Sequence, residues 1–209
     1  MPSLSLAWKT YRSSLPWVLL RRLLGRFVRI ETLVVYRHEL RDFPASPSAN
    51  DSVTHVMRID DVSSEAFRRL CRKYPDKRFY ERLRRKAQHC FVALRDNTIA
   101  GYAWATTDDL YIDEIACMYP VAPDEIFIYD CFVDAASRGL GVYPSMLEFI
   151  IRESHQRDGN LKSAGIAASA LNRASIRGVL KAGFVEQKRI RYVECLQKQK
   201  WWGFNPAEA

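Results

Sequence analysis

A chain of 209 residues, 48% apolar and 27% charged, with nine glycines and nine prolines, has material for one large core, and this composition excludes collagen-like, mucin-like and wholly disordered classes. Its net charge of +8 is unevenly placed: residues 1–30 carry six bases and no acid, and residues 68–86 carry ten bases against Asp76 and Glu81. The longest apolar run near the N-terminus, Leu15 to Leu20, stops at Arg21 and Arg22, well short of the roughly 18–20 residues that a spanning helix needs.

In chain order, Leu15, Trp17, Leu19, Leu20, Leu23, Leu24, Phe27 and Val28 interleave with arginines and predict an amphipathic basic helix within an N-terminal extension, residues 1–41. Two readings of residues 12–29 stand side by side: peripheral contact with an anionic membrane face, or a helix packed on its own domain with solvated arginines. A secretory signal does not fit, because arginines follow the apolar stretch where a cleavage site would stand; an Arg-rich, acid-poor mitochondrial leader fits better. Pro44, Pro47 and neighbouring Ser and Asn residues mark a linker over 42–52, where the domain boundary is expected. Val53 to Ile59 alternates as a strand; Asp60, Asp61 and Ser63 offer caps for a helix through Phe67, Leu70 and Cys71, which Pro75 stops. A second, strongly basic helix is predicted from Asp76 to Gln88, with Phe79, Tyr80 and Leu83 inward. Its cations read as a solvated face or an anion-binding one, and nucleic acid is disfavoured for want of interleaved stacking aromatics.

Cys90–Leu94 and Ile99–Thr106 form a predicted hairpin around Arg95 to Thr98. Residues 108–125 make a long connection with six acids and no Lys or Arg, either solvated surface or an acidic wall that would attract a cation. Ile126–Val133 reads as a strand buried on both faces around Asp130. After a glycine turn at 139–141, a helix runs to about Gln156; then come a strand Ser163–Ser169, a helix Arg173–Lys181 closed by Gly183, and one or two strands over Phe184–Leu196, leaving 199–209 as a tail.

Five cysteines, an odd number at wide spacing, argue against a disulfide framework and for a reducing, cytoplasmic compartment. They and the four scattered histidines show no metal-ligand spacing, so no metal is expected. The informative stretch is Arg138-Gly139-Leu140-Gly141-Val142-Tyr143-Pro144, between a buried strand and an amphipathic helix. Glycines there let the backbone approach an anion, toward which the free N–H groups of the first turn and the positive end of the helix dipole point. A tight strand-to-helix turn with no ligand is the alternative. The dinucleotide fingerprint fails at Pro144, and no Gly-Lys-Ser/Thr follows for a Walker loop.

Strand, Arg138-Gly139-Leu140-Gly141, helix, strand, then Asn172-Arg173-Ala174-Ser175 and Lys181-Ala182-Gly183-Phe184 resembles the GNAT superfamily of acyl-CoA-dependent N-acyltransferases, over about residues 53–196. The resemblance implies an α/β fold with a mixed sheet, residues 53–198 as the acyltransferase domain, and acetyl-CoA or another acyl-CoA as co-substrate. It implies donor binding by Arg138 and the amides of Gly139, Leu140, Gly141 and Val142, by the backbone of Phe132 and Val133 where their strand splays from Ser163–Ser169, and by Asn172 and Ser175. Two positions depart from the family: Tyr143 stands where a small residue is expected, and Val179 stands where many members place a tyrosine that protonates the leaving thiolate. Asp130 is the candidate base for the attacking amine, expected to be desolvated, the alternative being a carboxylate satisfied by backbone or an arginine. Cys131 reads as packing. The implied activity is acyl transfer to a small-molecule amine or amino-sugar-like acceptor. A catalytically silent acyl-CoA-binding module and a basic membrane or nucleic-acid adaptor are the rival readings.

Overall fold

The computed structural model describes residues 28–40, 54–196 and 198–206. Ten strands and four helices are described. The strands are β1 (Val28–Glu39), β2 (Thr54–Ile59), β3 (Gln88–Arg95), β4 (Thr98–Thr106), β5 (Leu110–Ile112), β6 (Cys117–Tyr119), β7 (Glu125–Val133), β8 (Ser163–Ser169), β9 (Val185–Cys195) and β10 (Lys198–Trp202). The helices are α1 (Glu65–Lys73), α2 (Arg78–Leu83), α3 (Val142–Arg157) and α4 (Arg173–Lys181). Eight strands form one mixed sheet in the order β10-β9-β1-β8-β7-β4-β3-β2, and β5 and β6 form a separate ribbon.

Every neighbouring pair in the large sheet is antiparallel except β7 and β8. A parallel pair needs a crossover, and α3 supplies it. The turn between β3 and β4 places Asp96 and Asn97 at positive φ, 48° and 56°, as a two-residue hairpin requires. Helices α3 and α4 cover one face, where Val142, Met146, Leu147, Ile150, Ile151 and Val179 pack on Phe91, Ile126, Ile128 and Phe184. On the other face, α1 and α2 bury Phe67, Leu70 and Phe79 against Cys90, Val92 and Trp104, while the β5–β6 ribbon packs Ile112, Cys117 and Tyr119 on Leu33, Val35, Phe127 and Tyr192.

The expected extension and boundary need correction. Residues 28–39 are a central strand, antiparallel to β8 on one side and β9 on the other, with Leu33 and Val35 in one core and Val34 and Tyr36 in the other. The predicted helix over 12–29 otherwise falls outside the described residues. Likewise the start of the expected C-terminal tail, 199–209, belongs to the sheet: residues 198–202 pair as β10 on β9. The first helix is capped by Ser64, whose hydroxyl accepts from Phe67 N–H, and not by Asp60, Asp61 or Ser63. The second helix is six residues long instead of thirteen, because Gln88 already belongs to β3 and pairs with Thr106. Among the described residues no helix is long and apolar enough to cross a membrane.

Candidate active site

The parallel seam opens. β7 and β8 pair from Glu125↔Ser163 to Ile128↔Ile166 and no further. β7 then continues against β4 up to Gly101↔Val133, while β8 continues against β1 up to Leu33↔Ser169. Each strand stays with its outer neighbour, so a cleft widens between Tyr129–Val133 and Ala167–Ser169. A register shift on β7 opposite Ala103, with Asp130 at φ 45°, marks a bulge where the strands part.

Backbone polarity in the cleft follows from the antiparallel alternation. Asp134 N–H donates to Ala100 C=O, so at the next pair, Gly101↔Val133, the Val133 groups point away from β4 and into the opening. The Val133 carbonyl there accepts from Arg138 Nε at 3.2 Å. Phe132, paired with Tyr102, turns its backbone groups to β4, which corrects its expected role; its ring instead stacks on Tyr102 at 5.7 Å. The end of β7 is pinned by Asp134, which receives Lys73 Nζ and Tyr74 Oη. Burial works the other way, but those two bonds hold its carboxyl below the usual carboxylate range.

Beyond a 3-10 turn at Ala135–Ser137, Gly139 and Gly141 take φ +79° and +81°, values at which other residues are strained. Gly141 caps α3 with no side-chain bond to the helix N-terminus and no acid in the first turn. Ser145 N–H returns to Gly141 C=O and Pro144 has no N–H, which leaves the Val142 and Tyr143 amides as the unpaired donors of that turn. They lie at the mouth of the cleft with exposed Arg138 and Leu140. The expected donor-site segment 138–142 is thus assembled beside the opening.

α4 brings its own N-terminus to the same place. Asn172 Oδ1 accepts from Ser175 N–H at 3.0 Å, so that oxygen is committed to the cap and only the carboxamide N–H groups face outward chemistry. At the other end Gly183 N–H donates to Leu180 C=O and Phe184 N–H to Val179 C=O, a Schellman closure that explains the Gly-Phe pair. Ser175 Oγ is 3.3 Å from Tyr143 Oη. Val179 is fully buried.

Asp130 is not the desolvated carboxylate expected of it. It is half-buried and ion-paired with Arg82 of α2, whose guanidinium also lies over the rings of Trp104 and Tyr129, at 5.5 and 5.2 Å from their centroids. Of the two readings, the arginine-satisfied carboxylate is the one the structure displays. Tyr74, Tyr102 and Phe132 form an aromatic cluster on that face. The Tyr102 hydroxyl is pushed up to about 12 by burial, with Asp130 and Asp76 adding to the effect. The Cys131 thiol is pushed up to about 12, chiefly by burial and then by Asp130, which makes it an unreactive thiol. Among the described residues no group of three or more His, Cys, Asp or Glu is placed to hold a metal ion.

The described residues thus form a mixed sheet opened at one parallel seam, with an uncapped helix N-terminus beside the opening. The acetyltransferase (GNAT) family model matches residues 56–184, more than half of the chain, and the protein belongs to that family of acyltransferases. No curated relative matches the sequence. Among solved structures, a GCN5-related N-acetyltransferase from Kribbella flavida has a TM-score of 0.54 at 9% identity, covering 87% of this chain and 63% of that one. A GNAT-family acetyltransferase from Colwellia psychrerythraea has a TM-score of 0.50 at 13% identity, covering 87% and 61%. An aminoglycoside acetyltransferase from an uncultured soil metagenomic sample has a TM-score of 0.47 at 16% identity, covering 63% and 88%. At these identities the likeness is one of fold.

Proposed function

We propose that the protein transfers a short acyl group from acyl-CoA to a primary amine by direct attack while both substrates are bound. The observation that carries this reading is the opening of β7 from β8 beyond Ile128↔Ile166, beside the uncapped start of α3. The Val142 and Tyr143 amides and Arg138 hold the donor's pyrophosphate, and the carboxamide N–H groups of Asn172 reach the arm that runs into the cleft. The Val133 N–H, turned to the opening, is the donor available to polarise the acyl carbonyl. The acceptor arrives on the opposite face, where Tyr74, Tyr102 and Phe132 stand beside Asp130 and Asp76. Aromatic faces with nearby carboxylates suit a cation. In this reading Asp130 positions the ammonium by sharing its charge with Arg82, and the ammonium's proton leaves to solvent before attack.

The test is acetyl-CoA with a panel of small amines and amino sugars, followed by thiol release and product mass. Acetylated product with stoichiometric CoA is expected. Gly141→Val, which forces a β-branched residue into φ +81°, should weaken CoA binding in calorimetry by roughly tenfold or more. Equal CoA binding by wild type and variant overturns the donor-loop assignment. CoA binding without product from any amine supports the silent-module reading instead.

A further inference from the structure

Tyr143, the second residue of α3, sends its ring across to α4. The ring lies on Gly178, where a Cβ would stand 2.3 Å from Cδ1 and 2.9 Å from Cε1, so only glycine leaves that space. Its hydroxyl meets Ser175 Oγ at 3.3 Å, and the Cys131 thiol is its near neighbour on the β7 side. Cys131 follows the bulge at Asp130, on the stretch of β7 that has left β8. A phenol O–H is therefore held beside the stretch of β7 that has left β8, between Ser175 and the Cys131 sulfur. Val179 on the same helix is aliphatic and fully buried and offers no polar group there.

We infer that the Tyr143 hydroxyl is the hydrogen-bond donor that receives the sulfur of the departing thiolate, oriented by Ser175 and given room by Gly178. The inference rests on the donor-site reading above. In the step it serves, the amine lone pair forms the C–N bond, the C–S bond breaks with its electron pair going to sulfur, and the nitrogen gives up its surplus proton to water as the amide forms. The charge on sulfur is stabilised by the phenol O–H until the thiolate takes a proton from water. Burial, with Cys131 adding to it, pushes the Tyr143 hydroxyl far above the usual range. The phenol thus keeps its proton and acts as a fixed dipole, the form in which such donors stabilise developing charge.

Tyr143→Phe keeps the ring on Gly178 and removes only the hydroxyl. Calorimetry with CoA and desulfo-CoA reads the sulfur contact without turnover: wild type should prefer CoA by about fivefold or more, and the variant should lose that preference. In turnover, kcat should fall by roughly tenfold or more with KM for acetyl-CoA little changed, and the deficit should shrink for thioesters of more acidic thiols. Ser175→Ala, which leaves the ring and hydroxyl in place, should show the same pattern more weakly. Equal binding of CoA and desulfo-CoA by wild type, a preference that survives in the variant, or a deficit independent of the thiol overturns the inference while leaving the donor site standing. Failure of both ligands to bind wild type overturns the donor-site reading itself.

Discussion

At residue scale, Gly178 is the sharpest case of a side chain chosen for a neighbour. A glycine inside a helix is about 1 kcal/mol worse than alanine, so Gly178→Ala would ordinarily stabilise α4. Here the added methyl meets the Tyr143 ring at 2.3 Å, and the sign should reverse: we expect a loss of about 1–3 kcal/mol in urea unfolding, and a gain would show that the ring is free to move. Asp130 offers a second test. Asn tolerates its positive φ nearly as well as Asp, so Asp130→Asn removes the charge without disturbing the bulge. We expect a rise in KM for a cationic acceptor of roughly tenfold with the pH–rate profile unchanged. Loss of the ascending limb of that profile would instead identify Asp130 as the base. The turn at 139–141 was legible because Gly139 and Gly141 declare it locally. Tyr143 was not, since its meaning depends on Gly178 and Ser175, more than thirty residues away, and no local rule links a large residue at the start of one helix to a gap in the next.

Among the elements, β1 decides what the domain is. Its run Leu33-Val34-Val35-Tyr36 is buried on both faces, so it carries no alternation and resembles a buried helix segment as much as a strand. That is why the arginine-rich, helix-like stretch before it absorbed it into an extension. β2, β3, β4, β7, β8 and α4 were readable from period and turn residues. α2 was overextended, because the basic run from Arg82 to Lys86 keeps helical composition while Gln88 is already claimed by pairing with Thr106. In the sheet, β8 and β9 run parallel with α4 crossing between them, and β1 fills the gap, antiparallel to both. Removing the first forty residues therefore exposes two unpaired edges and leaves Phe184 and Tyr192 without their neighbours. Such a truncation should lose near-UV circular dichroism and cooperative thermal unfolding. A cooperative melt at the wild-type temperature would mean that β1 is dispensable.

At the scale of the whole molecule, the sheet's far edge couples stability to pH through His89. This residue lies on β3 where β2 and the end of α3 converge, and its Nδ1 accepts from Arg58 NH2 at 3.0 Å. Protonation would set a ring N–H against a guanidinium donor. Burial, reinforced by the Arg58 charge and more weakly by Arg157, pushes the His89 pKa down to about 4, with Asp60 opposing. The folded state thus binds a proton less readily than the unfolded chain, whose histidine titrates near 6.5. Stability from this group is complete above about pH 6.5 and is lost as pH falls toward about 4, because only the unfolded chain takes up the proton in that window. Between about pH 7.5 and pH 5 the loss should be on the order of 2 kcal/mol. His89→Gln cannot be protonated and can still present an acceptor to Arg58, so urea midpoints for that variant should fall less on acidification than those of wild type. Parallel pH profiles for the two proteins would show that His89 takes up its proton as readily in the folded state as in the unfolded chain and that acid sensitivity arises elsewhere.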